Sequence, residues 1–293
     1  ESRMSRLQQD IERQIAEATT DNSRWASQLR LVQYLARSGQ LEKAREIASA
    51  VRHQSGAQQT VEILALLNVA ESLLAFYDGH RPLALDKIRR AQAIGMAGGA
   101  RSETMAMAFS WDAHFQRNDN RIDALTVALS HCLRYCSRDN SEAISRLSLV
   151  VADAYQQVGS NESAGKWYRA AHAHALVCGD SSLIAALIHN RAALRLFSAR
   201  IAMAAGEPPA VDDYTIALEE ASARTYESLV RTHSLAWFLD LIRGQVYMLQ
   251  GRYEEALALL EGERVLRCSL SWREGNATRM ADVAFCRSNL YGP

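Results

Sequence analysis

Histidine and cysteine are the side chains from which a metal centre would be built. This chain brings them together at His131, Cys132 and Cys136. Four residues apart, Cys132 and Cys136 share one face of a helix, as do His174 and Cys178. A structural zinc site needs four ligands, usually gathered by tight Cys-x-x-Cys turns, and the sequence contains none. His172 and His174 are two apart and point to different helix faces. The expectation is buried apolar cysteines and no metal. Acid–base chemistry would require Asp153, His189 and the Arg191/Arg195 pair to converge on one pocket, and nothing in the sequence arranges them to activate one another. The Gly-x-Ser-x-Gly elbow, the His-Glu-x-x-His pair and the Gly-x-x-x-x-Gly-Lys phosphate loop are missing. Gly95-Met-Ala-Gly98-Gly99 lacks a preceding strand and the dinucleotide spacing, so it reads as a helix terminator. No catalytic function and no cofactor are expected.

Composition narrows the classes further. Lysine plus arginine and aspartate plus glutamate both number 33, so no global basic field draws the chain to nucleic acid or anionic lipid. Arg89-Arg90, Arg191, Arg195 and Arg200 are interspersed with acids and suit surface ion pairs better than phosphate contacts. The five cysteines are irregularly spaced, which argues for reduced thiols and a cytoplasmic location rather than a disulfide framework. No segment approaches the roughly 18 uninterrupted apolar residues of a membrane helix. The absence of an initiator methionine at Glu1 reads as the start of a fragment.

The elements that would position any site are helical. Residues 1–20 carry the stripe Met4, Leu7, Ile11, Ile15 and Ala18, a capping helix or a short coiled coil that could support a homodimer. Asp21-Asn22-Ser23 is a plausible N-cap for the next helix. Six helix-turn-helix units are then predicted at about 23–56, 62–99, 102–138, 141–179, 181–232 and 234–268, with a last helix at 276–290. Pro82 falls in the first turn of its helix, where the missing N–H costs nothing. Gly206-Glu-Pro-Pro209 interrupts the fifth unit and predicts an enlarged loop.

Turn residues Gly39, Gly79, Asp119 and Gly159 are spaced by 40 residues. The sixth unit is the clearest, GQVYMLQGRYEEALALL over 244–260. There Gly244 permits close helix approach, Tyr247 fills the gap beside it, Gly251 turns the chain, and Ala256 is the small contact on the return helix. Ala152, Tyr155, Gly159, Ala164, Tyr168 and Ala171 repeat the order in the fourth unit. This order resembles the tetratricopeptide repeat, with helices about a turn longer than its usual period of roughly 34 residues. The resemblance implies an all-α right-handed solenoid (residues 21–293) of a long-period bacterial variety. Gly292 lies 41 residues after Gly251, so another repeat is expected to continue beyond Pro293.

The resemblance also implies that the first helix of each unit lines a concave groove and the second forms the outer wall. Carried over by register, the groove positions are Arg30, Gln33 and Arg37 in the first unit; Leu73, Phe76 and Tyr77 in the second; Phe109, Ala113, Gln116 and Arg117 in the third. The fourth unit supplies Arg146, Asp153, Gln156 and Gln157, the fifth His189, Asn190 and Leu196, and the sixth Phe238, Leu241, Gln245 and Met248. The candidate set is Gln33, Arg37, Tyr77, Arg117, Asp153, Gln156, His189, Asn190 and Gln245. The asparagine of the family's carboxylate clamp is replaced by Gln33, Leu73, Ala113, Asp153, Ala193 and Gln245, which argues against chaperone-tail binding. The expected role is a non-enzymatic scaffold holding a protein or peptide in the groove. The alternative is the ligand-sensing part of a larger signalling protein, a transcription regulator or a cyclase-type enzyme.

Overall fold

The computed structural model describes residues 5–207, 213–230, 236–262, 265 and 273–291. Among them are 14 α-helices and no strand. They are α1 (Arg6–Ala16), α2 (Asp21–Arg37), α3 (Leu41–Ser55), α4 (Val61–Tyr77), α5 (Arg81–Gly98), α6 (Ser102–Asn118) and α7 (Ile122–Tyr135). There follow α8 (Ser141–Gln157), α9 (Asn161–Cys178), α10 (Ser181–Ala204), α11 (Asp213–Val230), α12 (Ala236–Leu249), α13 (Tyr253–Leu260) and α14 (Arg273–Tyr291). Within each unit most helices pack mainly on their neighbours in sequence, as in an all-α solenoid. The chain divides into two compact units, Glu1–Ile184 and Ala185–Pro293, with the division falling inside α10.

One hydrogen bond recurs at every described turn within a hairpin. The backbone N–H of Gln40 donates to Leu35 C=O, His80 to Ala75, Arg121 to Gln116, Ser160 to Tyr155, Glu207 to Ala202 and Arg252 to Tyr247, all at 2.8–2.9 Å. This closure requires one left-handed residue just before the donor, and Gly39, Gly79, Asn120, Gly159, Gly206 and Gly251 supply it. In the third hairpin the left-handed residue is therefore Asn120 (φ 54°) and not Asp119, because an asparagine side chain tolerates that conformation. The expected turn residues otherwise stand where the spacing placed them. The Pro208-Pro209 part of the expected loop and the turn at Gly292 lie outside the described residues.

The cap of α2 is Thr20, one residue before the expected Asp21-Asn22-Ser23. Thr20 Oγ1 accepts from Ser23 N–H (3.1 Å) and Ser23 Oγ accepts from Thr20 N–H (3.3 Å), a reciprocal capping box that leaves Asp21 inside the first turn. Helix α13 ends at Leu260.

In the first unit α2, α4, α6 and α8, which the repeat register assigns to the inner layer, pack on one another in succession. Helix α4 buries Ala65, Leu66, Leu67, Val69, Ala70 and Leu73 almost all round, whereas α5 buries a narrower stripe at Ala84, Ile88, Ala91, Gln92 and Gly95. In the second unit a Cβ on Gly244 would meet Leu260 Cδ2 at 3.0 Å, so the close approach of α12 and α13 depends on that glycine.

Candidate functional site

The inner helices of the first unit carry long polar side chains on the face that the repeat register assigns to the groove. Arg30, Gln33 and Arg37 lie at i, i+3 and i+7 on α2, so they share one face. Arg30 Nη2 reaches Glu142 Oε2 on α8 at 3.1 Å, and Arg37 Nη2 reaches Glu142 Oε1 at 3.6 Å. Arg37 Nη1 donates to Asp180 Oδ2 at 2.6 Å, and Tyr34 Oη lies 3.1 Å from Ser181 Oγ. The first hairpin is thus tied to the fourth hairpin and to the start of α10.

Helix α1 completes the closure. The hydroxyl of Ser5 donates to Gly179 C=O (2.6 Å), and Leu7 N–H donates to the same oxygen (3.2 Å). Arg6 donates to Leu176 C=O at 2.8 Å.

Between the inner helices lies a cavity of about 350 Å³. Its walls come from Ser23, Ala26, Ser27, Arg30 and Gln33 on α2, Glu62 and Leu66 on α4, and Thr104 and Met107 on α6. Gln14 of α1, Arg101 and Glu103 at the start of α6, and Asn140 and Glu142 at the start of α8 complete them. Glu62 holds two hairpins together, accepting from Arg101 N–H (2.8 Å) and from the Thr104 hydroxyl (2.6 Å). Asn140 Oδ1 caps α8 by accepting from Ala143 N–H.

Beneath the cavity the chemistry is unusual for a protein interior. Arg146, one turn after Glu142 on α8, is 5% exposed, and its guanidinium carbon sits 3.7 Å from the centre of the Trp111 ring. Among the described residues no carboxylate lies within ion-pair distance of it, and its Nε has no hydrogen-bond partner. Burial, with the like charge of Arg37, pulls its pKa down to about 10. Gln33 is 4% exposed, and its Nε2 likewise lacks a partner. Burial lowers the pKa of Arg37, but the charges of Asp180 and Glu142 outweigh it and the net direction is up. For Asp180 burial acts to raise the pKa, yet Arg37 and the Ser182 hydroxyl hold it below the usual carboxylate value. Tyr77 is half-buried beside these groups, and burial pushes its phenol up.

The nine candidate residues therefore fall into separate settings. Gln33, Arg37 and Tyr77 belong to the interior just described. Arg117 and Asp153 form their own ion pair, with Asp153 also accepting from Tyr168 Oη at 2.7 Å. Gln156 donates to Asn161 across the α8–α9 turn. His189, Asn190 and Gln245 belong to the second unit. There His189 is wholly buried, its Nε2 3.3 Å from Glu227 Oε1 and its ring stacked on Phe238. Gln245 Nε2 donates to the buried Asp282 (2.5 Å), which also takes Arg200 at 2.6 Å. Arg191 and Arg195 both pair with Glu219, so Asp153, His189 and these arginines each have partners of their own.

Cys132 is buried, donates to Ala106 C=O at 3.3 Å, and has its thiol pushed up to about 12 by burial. His131 stacks on Phe109, and His174 Nδ1 lies 3.2 Å from Ser141 Oγ. Among the described residues no three His, Cys, Asp or Glu side chains gather as a metal site would need, and no helix is long and apolar enough to cross a membrane. The chain matches no protein-family model and no curated protein.

The groove register names Arg30 and Gln33, which line the cavity, and Arg37 and Arg146, which do not, but it does not name Glu62, Glu103 and Glu142. Their signal was present, for these glutamates are 41 and 39 residues apart and fall at the second position of α4, α6 and α8. An acid at a helix start satisfies the macrodipole, so each one taken singly reads as ordinary capping.

Proposed function

We propose that this chain is a non-enzymatic, tetratricopeptide-like binding module whose receiving site is the inner face of its first four hairpins, and that the occupant is compact. One observation carries this reading. Arg30–Glu142 and Arg37–Asp180 bridge the groove, and the space left over is about 350 Å³. A single turn of helix with side chains fills about 500 Å³, so the space suits a compact occupant better than a helix laid along the groove. Small-molecule sites start at about this size and are set by a few convergent polar groups. The reading therefore favours ligand sensing, in which an occupant changes how the bridged hairpins sit against one another.

The test is a thermal-shift comparison over a chemically broad set of small polar compounds. Wild type and Ala26→Trp, which fills the cavity from α2, are measured together. Compounds that raise the melting temperature of wild type but not of the variant support the reading. Equal behaviour of the two proteins across the whole set overturns it.

A protein partner is favoured by a different observation in the second unit. Phe197 and Ile201 on α10 and Tyr214 and Leu218 on α11 are four apart on their helices and more than half exposed. Changing Phe197 and Tyr214 to serine would abolish association through that face without altering the compound shifts.

A further inference from the structure

Charge is distributed unevenly along the cavity. Arg30 and Glu142 line its inner end, and next to them, outside the lining, Arg37, Arg146 and Asp180 bring the local total to three guanidinium groups against two carboxylates, an excess of one positive charge. At the mouth, in the first turns of α4 and α6, Glu62 and Glu103 accompany the single guanidinium of Arg101, an excess of one negative charge. Glu62 is satisfied by an N–H and a hydroxyl rather than by a cation, and Glu103 is exposed with no ion pair among the described residues.

At and beside the inner end stand two donors that a folded interior rarely leaves idle. Gln33 lines the cavity with its Nε2 unpartnered, and Arg146, one turn after Glu142 on α8 and outside the lining, has an unpartnered Nε; both side chains are at least nine-tenths buried. A buried guanidinium with no anion costs stability unless something compensates it, and stacking on Trp111 offsets only part of that. Both donors call for an acceptor, and the nearby excess charge calls for an anion. From Ser23 to Gln33 the cavity runs about 15 Å along α2 at the helical rise.

We infer that the cavity takes an extended small zwitterion, its carboxylate at the inner end against Gln33 and in the field of Arg146, its ammonium group at the mouth between Glu62 and Glu103. This rests on the compact-ligand reading above and assigns the ligand its chemistry. Two sources share that chemistry, a free tripeptide and a linear ω-amino acid. Three extended residues span about 10 Å, which suits the space once the lining side chains have reached in from either end.

The experiment uses the whole chain and titration calorimetry with trialanine and 6-aminohexanoate. N-acetyl-trialanine, trialanine amide, hexanoate and hexylamine are the single-charge controls. Saturable binding of at least one zwitterion is expected, weakened about tenfold or more when either of its charges is removed. Trialanine binding alone assigns the peptide source, and 6-aminohexanoate binding alone the ω-amino acid. Arg146→Met is expected to abolish binding while leaving the unliganded protein as stable as wild type or more so, which a structural arginine would not do. Glu103→Gln alters an exposed side chain and leaves folding intact, so it tests the mouth independently, with an expected fivefold to tenfold loss. Equal affinity for zwitterions and single-charge controls, or no zwitterion binding at all, overturns the inference. If the broad compound set still separates wild type from Ala26→Trp in that case, the cavity reading survives without this ligand class.

Discussion

Arg37 and Asp180 stand 143 residues apart in the chain and meet in a 2.6 Å ion pair with both side chains buried. Breaking such a pair from one side leaves a stranded charge and costs about 3 kcal/mol. Asp180→Asn removes the anion while Arg37 still faces Arg146, so a loss of about that size is expected in urea unfolding. The double variant Asp180→Asn with Arg37→Met is expected to recover much of it. Equal loss in the single and double variants would show that the pair is not coupled.

Acid should weaken the first unit in two stages. The half-buried His114 imidazole is held well below its ordinary value of 6.5 by desolvation, helped by Arg117, Arg146 and Arg81. The unfolded chain therefore binds the extra proton first, and stability declines as pH falls below about 6.5. Asp180, depressed below its ordinary 3.8, contributes stability that is complete above that value and is lost as pH falls through its folded value. Denaturant midpoints from pH 7.5 to 3 measure both limbs. His114→Leu is expected to flatten the first limb and leave the second.

Gly179 has φ 70°, and a Cβ there would lie 2.7 Å from Arg6 Cβ and 3.2 Å from Leu7 N. Gly179→Ala is expected to cost about 1–2 kcal/mol from the left-handed backbone alone. The added methyl group also pushes α1 off its seat. Limited proteolysis should then cut between α1 and α2 faster than in wild type.

In the second unit Asp282 is fully buried and receives both Arg200 and Gln245. Asp282→Asn is expected to cost about 3 kcal/mol. Hydrogen exchange should show the loss of protection in α12 and α14, with α2 to α8 unchanged.

The hairpin turns were legible because their chemistry is local. A left-handed residue is needed once per turn, and glycine or asparagine marks the place in the sequence. Small residues such as Ala44, Ala84, Ala164 and Ala256 are likewise visible because each return helix needs one close contact, and all four are buried. Thr20 was missed as the cap of α2 because Asp21, Asn22 and Ser23 are equally good cap residues, and only the reciprocal bond with Ser23 decides among them. The closure of the groove was not legible at all. Register assigns Arg37 to an inner face, but no periodic pattern says that its partner is Asp180 in a turn three repeats later. Asp153 and Gln245, read as groove residues, are buried with partners of their own, Arg117 and Asp282, whose pairing depends on the side chains of adjacent repeats.

The bonds from Ser5 and Leu7 to Gly179, and from Arg30 and Tyr34 to Glu142 and Ser181, join residues more than 100 positions apart. A linear array can nucleate at any repeat and grow outward, with the end repeats fraying first. Here the last step of assembly must bring distant segments together after the hairpins exist, and the entropy of closing that long loop falls on one late event. The first 184 residues should accordingly unfold in a single concerted transition, with slow refolding and little end fraying, a kinetic character more like that of a globular domain than of an open stack.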